Sequence, residues 1–293
     1  MPTYRTVEVA VEGGTLTAGI WGTAGPIVVG SHGITGNHVS FAALADGLGD
    51  SFRLVAPDHR GRGRSRDITG PWGMRAHAAD IVALLDHLKI AKADVLVGHS
   101  MGGFVAAVTA AEHPERVGSV LLVDGGLPPF DALPPGLTTE QLITAVIGPA
   151  MARLDMTFES REAYHAFWRE HPAIAGSWSS YAERYFDYDL FGEPPALRPS
   201  PKKEAILGDT ESQLGGDLVP RSLAKLSGPV GFLRAPRGIL NGDPLYPASL
   251  VEDWQRRLPR LGVTEIPDVN HYTILLGDAG ARAVAEEIRR LLS

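Results

Sequence analysis

Short apolar runs rich in β-branched residues alternate with helix-spaced stretches along most of this chain, and no other feature limits its fold so strongly. Pro26 to Gly30, Phe52 to Ala56, Asp94 to Val97 and Val117 to Val123 read as buried strands. Val39 to Leu48, Met74 to Leu88 and Gly103 to Glu112 carry apolar residues three and four apart, the spacing of one helix face. The rhythm resumes late, with Val230 to Leu233 and Val263 to Ile266 as strands and Leu250 to Leu258 and Ala279 to Leu292 as helices. Thr6 to Val11 and Leu16 to Trp21 form an opening hairpin that turns at Gly13-Gly14. This order predicts an α/β domain whose mostly parallel sheet is covered on both faces.

The alternation fails between Leu127 and Leu226. Pro128, Pro129, Pro134 and Pro135 open that stretch, and Pro194, Pro195, Pro199 and Pro201 close it. Between them aromatics fall at helical spacing: Tyr164, Phe167 and Trp168, then Trp178, Tyr181, Tyr185 and Tyr188. The pattern predicts a helical cap, residues 127–226, inserted into a core built from 1–126 and 227–293. Most of these aromatics are expected to form the cap's own core. Trp168, Trp178 and Tyr181 are candidates to line an apolar substrate pocket, together with Tyr272, His32 and Gly33.

Gly98-His99-Ser100-Met101-Gly102 follows the strand Asp94 to Val97 and opens the helix that begins at Gly103. A serine on so tight a strand-to-helix turn needs small neighbours, which Gly98 and Gly102 supply, and the helix N-terminus beside it favours developing negative charge. That makes Ser100 a candidate nucleophile. Its base must come from elsewhere, and His271, after the last strand and before the last helix, has the right place in chain order. His32 is read as shaping a loop, and His99 as pointing away from the Ser100 hydroxyl by strand alternation. His38, His59, His77, His87, His113, His165 and His171 fall in helices or exposed loops without ligand spacing, so no metal site is expected.

Two backbone donors would hold an oxyanion: Met101 N–H, and Ile34 N–H in the loop Ser31 to Gly36, each worth about 3 kcal/mol of transition-state stabilisation. Two aspartates compete as the group that orients His271. Asp124 sits on a strand end, which holds geometry well, and Asp243 lies in Asp243-Pro244-Leu245-Tyr246-Pro247, about nine residues past its strand.

In these motifs the chain resembles the α/β-hydrolase family over nearly everything outside the cap. The motifs are His32-Gly33 after a strand, the loop Pro57 to Ser65, the elbow through Ser100-Met101-Gly102-Gly103, and His271 near the C-terminus. The resemblance implies an eight-stranded sheet, a Ser–acid–His triad at the strands' C-terminal ends, and no cofactor. The family places its acid after either of two strands, here the regions of Asp124 and Asp243. Haloalkane dehalogenases and epoxide hydrolases of this fold also resemble the chain, but use aspartate where it has Ser100.

The expectation is hydrolysis of a carboxylic ester or lactone, with an apolar or aromatic small-molecule substrate. Carbon–carbon bond hydrolysis, cofactor-free perhydrolysis and, more remotely, hydroxynitrile lyase chemistry use the same constellation. A small-molecule receptor that retains a hydrolase site is the alternative from another class.

The 293 residues carry 27 Lys plus Arg against 34 Asp plus Glu, a net charge of −7, which gives no reason to expect nucleic acid or an anionic membrane as partner. The run Arg60, Arg62, Arg64 and Arg66 reads as a solvated loop. Without cysteine, disulfides, thiolate catalysis and thiolate metal sites are excluded. No stretch nears the ~18 apolar residues of a membrane span, and Met1 to Arg5 shows no secretory pattern. A cytoplasmic monomer or homodimer is expected.

Overall fold

The computed structural model describes residues 2–129, 136, 138, 141, 148 and 150–293. The strands, in chain order, are β1 (Tyr4–Val11), β2 (Gly14–Trp21), β3 (Ile27–Ser31), β4 (Arg53–Pro57), β5 (Ala93–His99), β6 (Val117–Val123), β7 (Leu190–Phe191), β8 (Arg198–Pro199), β9 (Val230–Arg234) and β10 (Leu261–Glu265). Eight of them form one sheet in the order β1-β2-β4-β3-β5-β6-β9-β10, and β7 pairs only with β8. The hairpin β1–β2 is antiparallel, with Val7 opposite Ala18, and β2 meets β4 antiparallel. Every later pairing in the large sheet is parallel. The fold is therefore the α/β-hydrolase arrangement.

The described helices are α1 (Ala42–Leu48), α2 (Met74–His87), α3 (Met101–Glu112), α4 (Arg161–Arg169), α5 (Ser180–Asp189), α6 (Lys203–Leu214), α7 (Leu218–Lys225), α8 (Ala248–Arg257), α9 (Thr273–Leu276) and α10 (Asp278–Leu291). Because strand side chains alternate, β5 feeds both faces of the sheet. Val95 and Val97 pack with Phe41, Leu44 and Ile288 on the α1/α10 side. Leu96 packs with Ile81, Phe104 and Val105 on the α2/α3 side. Two apolar layers result, and the sheet's C-terminal edge is left free for polar side chains.

Between β6 and α7 the aromatics pack on one another. Trp168 stacks on Phe186 with ring centroids 4.3 Å apart, and Tyr164, Phe158 and Leu197 complete a separate cluster that touches the core through Leu276. Ser160 and Ser179 accept the backbone N–H groups of Ala163 and Ala182, capping α4 and α5. Pro134 and Pro135, read as part of the opening of this stretch, lie outside the described residues.

The structure moves one boundary. Helix α7 lies along α3, and its Val219 and Leu223 are buried in the same layer as Phe104 and Val105. These residues cover the sheet, so the end of the 127–226 insertion belongs to the core. No helix of the described residues is long and apolar enough to cross a membrane.

The arginine run is not the solvated loop its charge suggests. Arg60 and Arg62 are 1% and 0% exposed. Arg60 makes a two-point contact with Asp80, Nε to Oδ2 at 2.8 Å and Nη2 to Oδ1 at 2.6 Å, the fork geometry for which arginine suits a buried carboxylate. Arg62 pairs with Asp209 at 2.5 Å. Only Arg64 is exposed, while Arg66 lies over the ring of Phe191.

Leu223→Ala tests the placement of α7. If the helix covers the sheet, urea unfolding should show a loss of about 2–5 kcal/mol in the same transition that reports the core. A separate early transition would return α7 to the cap.

Candidate active site

The turn after β5 holds Ser100 at φ 55° and ψ −123°, a sparsely populated conformation that persists where the surroundings enforce it. Enforcement here is by backbone packed on backbone. A Cβ on Gly102 would sit 1.9 Å from the Ser31 carbonyl oxygen, and one on Gly125 would sit 2.1 Å from that of Ser100. Side chains at either position are incompatible with this elbow.

From there a hydrogen-bonded chain runs inward. Ser100 Oγ lies 3.0 Å from His271 Nε2, and His271 Nδ1 donates to Asp124 Oδ2 at 2.7 Å. Asp124 is fully buried at the end of β6, and its other oxygen accepts the N–H of Ala235 just past β9. The carboxylate is thus held from two strands. Asp243 is exposed and makes no contact with His271; its loop folds on itself, Gly238 N–H donating to Gly242 O and Asn241 N–H to Gly238 O. Of the two candidate aspartates, the fold brings Asp124 to the imidazole.

Three side chains, one from the loop itself and two from distant segments, hold successive carbonyls of the loop after β3. His32 Nε2 accepts the backbone N–H of His59, which leaves its proton on Nδ1, and Nδ1–H donates to Gly33 O at 2.7 Å. Arg62 Nε donates to Ile34 O at 2.9 Å, and Arg153 Nη2 to Thr35 O at 3.4 Å. The Gly33–Ile34 peptide is trans, so with its carbonyl held on one side its N–H faces the other. Neither the Ile34 nor the Met101 N–H has an acceptor within the protein among the described residues.

A cavity over Ser100 is lined by Gly33, Ile34, Thr35, Tyr185, Ile239, His271, Tyr272, Leu275 and Leu276, among others. Gly33 and Tyr272 are where the sequence puts them. Trp168 is buried in the aromatic cluster, Trp178 is stacked against Phe186 under Arg169, and Tyr181 donates to Asp46, so none of the three reaches the cavity wall. His32 is fully buried behind the loop and does not line the cavity. Tyr185, Ile239, Leu275 and Leu276 were not singled out by sequence. Tyr185 shares the helical phase of Tyr181, and that periodicity was the one available signal.

His99 also departs from its reading. It lines the cavity, its ring 4.8 Å from that of His271, and Nε2–H donates to the His271 carbonyl at 2.8 Å. His38, His59 and His77 are fully buried rather than exposed. His38 binds Asp58 and Tyr4, His59 binds Ser31, and His77 Nε2 lies 2.9 Å from Asp209. Among the described residues no cluster of three or more His, Cys, Asp or Glu could hold a metal.

Comparison with known proteins bears on the family and the fold. A family model described as alpha/beta hydrolase fold matches residues 26–278. The chain is 30% identical over 256 residues to a 2-(acetamidomethylene)succinate hydrolase of Mesorhizobium japonicum, covering 85% of this chain and 82% of that one. It is 27% identical over 274 residues to a cis-3-alkyl-4-alkyloxetan-2-one decarboxylase of Shewanella oneidensis, 89% of this chain and 80% of that protein. The crystal structure of an E-2-(acetamidomethylene)succinate hydrolase superposes with a TM-score of 0.81 over 99% of both chains at 24% identity. At that identity the likeness speaks for the fold.

Burial lowers His99 from 6.5 to about 3, with the neighbouring His271 adding to the effect, and burial likewise lowers His32 to about 3. Unfolded, both histidines bind protons near pH 6.5; folded, they do not until about pH 3. Stability is therefore complete above the unfolded value and is lost as pH falls below it, by at most about 1.4 kcal/mol per pH unit for each group. The urea midpoint should drop between about pH 7 and pH 5, and less steeply in His99→Gln. Equal slopes for the two proteins would mean that His99 is not held neutral.

Proposed function

The chain belongs to the alpha/beta hydrolase family, and from that premise we propose that it is a serine hydrolase of carboxylic esters or lactones. The observation that carries the reading is the unbroken chain from Ser100 through His271 to Asp124, at 3.0 and 2.7 Å. Ser100 Oγ attacks the carbonyl carbon while His271 Nε2 takes its proton, and the buried Asp124 carboxylate steadies the resulting imidazolium. The Ile34 and Met101 N–H groups receive the oxyanion, each worth about 3 kcal/mol. Collapse breaks the ester C–O bond, and the departing alkoxide takes the proton from His271. Water then attacks the acyl-enzyme with His271 again as base, releasing the acid and restoring Ser100. Ile34, Ile239, Leu275 and Leu276 offer the substrate an apolar wall.

A second reading is favoured by the relative whose name carries an acetamido group. The same atoms serve an amide, with His271 protonating the leaving nitrogen. A matched ester and amide of one acid separate the two readings.

On p-nitrophenyl butyrate, Ser100→Ala and His271→Ala should each cut kcat/KM by about a thousandfold or more, because the groups act as a unit. Asp124→Asn should lose activity on a similar scale, whereas Asp243→Asn should stay within about twofold, as a surface change does. A fluorophosphonate adduct should map to Ser100 by mass spectrometry. Labelling at another serine, or losses below about tenfold in Ser100→Ala, would overturn the assignment.

A further inference from the structure

Arg153 is 1% exposed, yet part of its guanidinium has no partner among the described residues. Nη1 donates to Ala150 O, and Nη2 to Thr35 O and Asp189 Oδ2, but Nε has no acceptor among the described residues. A buried cationic donor left unsatisfied is costly, so natural proteins seldom keep one without a use. Asp189 is already shared with Tyr164 and Ser200, which occupy both of its oxygens.

Through Thr35, whose carbonyl it holds, Arg153 backs the cavity over Ser100, and two phenols share that cavity. Tyr185 and Tyr272 both line the cavity over Ser100, and neither hydroxyl has a hydrogen-bond partner among the described residues. Burial raises both above the usual tyrosine range, and the Arg153 charge pulls each the other way, so all three lie within reach of one another's fields. Both phenols stay protonated at neutral pH and are donors there. Tyr272 directly follows His271, its ring 5.9 Å from the imidazole, and Tyr185 lines the same cavity as Ser100.

Resting on the hydrolase reading, we propose that Tyr185, Tyr272 and Arg153 form an anion subsite, and that the substrate is a short acyl compound bearing a free carboxylate besides the bond that is cleaved. Two neutral O–H donors and a fixed positive charge suit a carboxylate, and the apolar wall of Ile239, Leu275 and Leu276 suits a hydrocarbon spacer. Asp189, bonded to Arg153 Nη2, offsets part of the guanidinium charge.

Two measurements test this. The first compares kcat/KM for monoethyl glutarate and ethyl hexanoate, whose acyl chains are of similar length. The half-acid should be preferred by about tenfold or more, and Arg153→Met should reduce that preference by a similar factor. Tyr185→Phe and Tyr272→Phe remove one oxygen each, should also reduce the ratio, and carry the test if Arg153→Met does not fold. The second measures glutarate binding to Ser100→Ala by calorimetry, where no turnover is involved. Binding near or below about 1 mM, weakened in the two phenylalanine variants, supports the subsite even if neither ester is hydrolysed, an outcome that would sink only the esterase reading. Preference for ethyl hexanoate with no glutarate binding would overturn the subsite and leave the hydrolase standing.

Discussion

Backbone pressed against backbone at the C-terminal edge of the sheet is the constraint on which this site depends. Where β3, β5 and β6 end, the chain passes so close to itself that a Cβ on Gly102 or Gly125 would overlap a carbonyl oxygen. Packing of that kind cannot relax by rotating a side chain, so it holds Ser100 in a backbone conformation few residues adopt. The hydroxyl is presented as a consequence of the fold's closeness there, before any hydrogen bond to His271 is counted.

Buried charge and polarity do a second job around the same edge. The loop after β3 would have little to fix its peptides, being only six residues from Ser31 to Gly36. Its carbonyls are instead held by His32, Arg62 and Arg153, which come from the loop itself, the segment after β4 and the stretch before α4. Arg62 is in turn anchored on Asp209, from α6. Removing one member of such a pair leaves a bare charge in a low-dielectric interior, which costs several kcal/mol. The geometry of the free Ile34 N–H is thereby tied in part to residues far from the chemistry.

Much of this was legible in the sequence. The alternation of strands and helices announced the sheet, and the setting of Ser100 between strand and helix, with His271 behind the last strand, pointed to the hydroxyl and imidazole that lie 3.0 Å apart. Other features were hidden for identifiable reasons. Charge alone made Arg60 and Arg62 look solvated, because Asp80 and Asp209 become their partners only after folding. Helical periodicity grouped Trp178, Tyr181, Tyr185 and Tyr188 on one helix face but could not say which would reach the cavity, and it is Tyr185 that does. The choice between Asp124 and Asp243 depended on how the loop after β9 folds, and no local propensity encodes that. Helix α7 was read as cap because its short pattern, interrupted by Pro220, gave no hint that α3 would be its neighbour.

The position of the acid leaves one segment unburdened. With the carboxylate supplied from the end of β6, residues 235–247 need not deliver any reacting group, yet Ile239 from that stretch still forms part of the cavity wall. In the proposed mechanism, part of the cavity wall and the triad carboxylate thus come from different segments. Arg237 O accepts the His271 N–H and Asn241 Oδ1 accepts from Asn270, so the changes that can reshape the cavity wall while leaving the imidazole's supports in place are those at Ile239 and its neighbours that keep these two anchors.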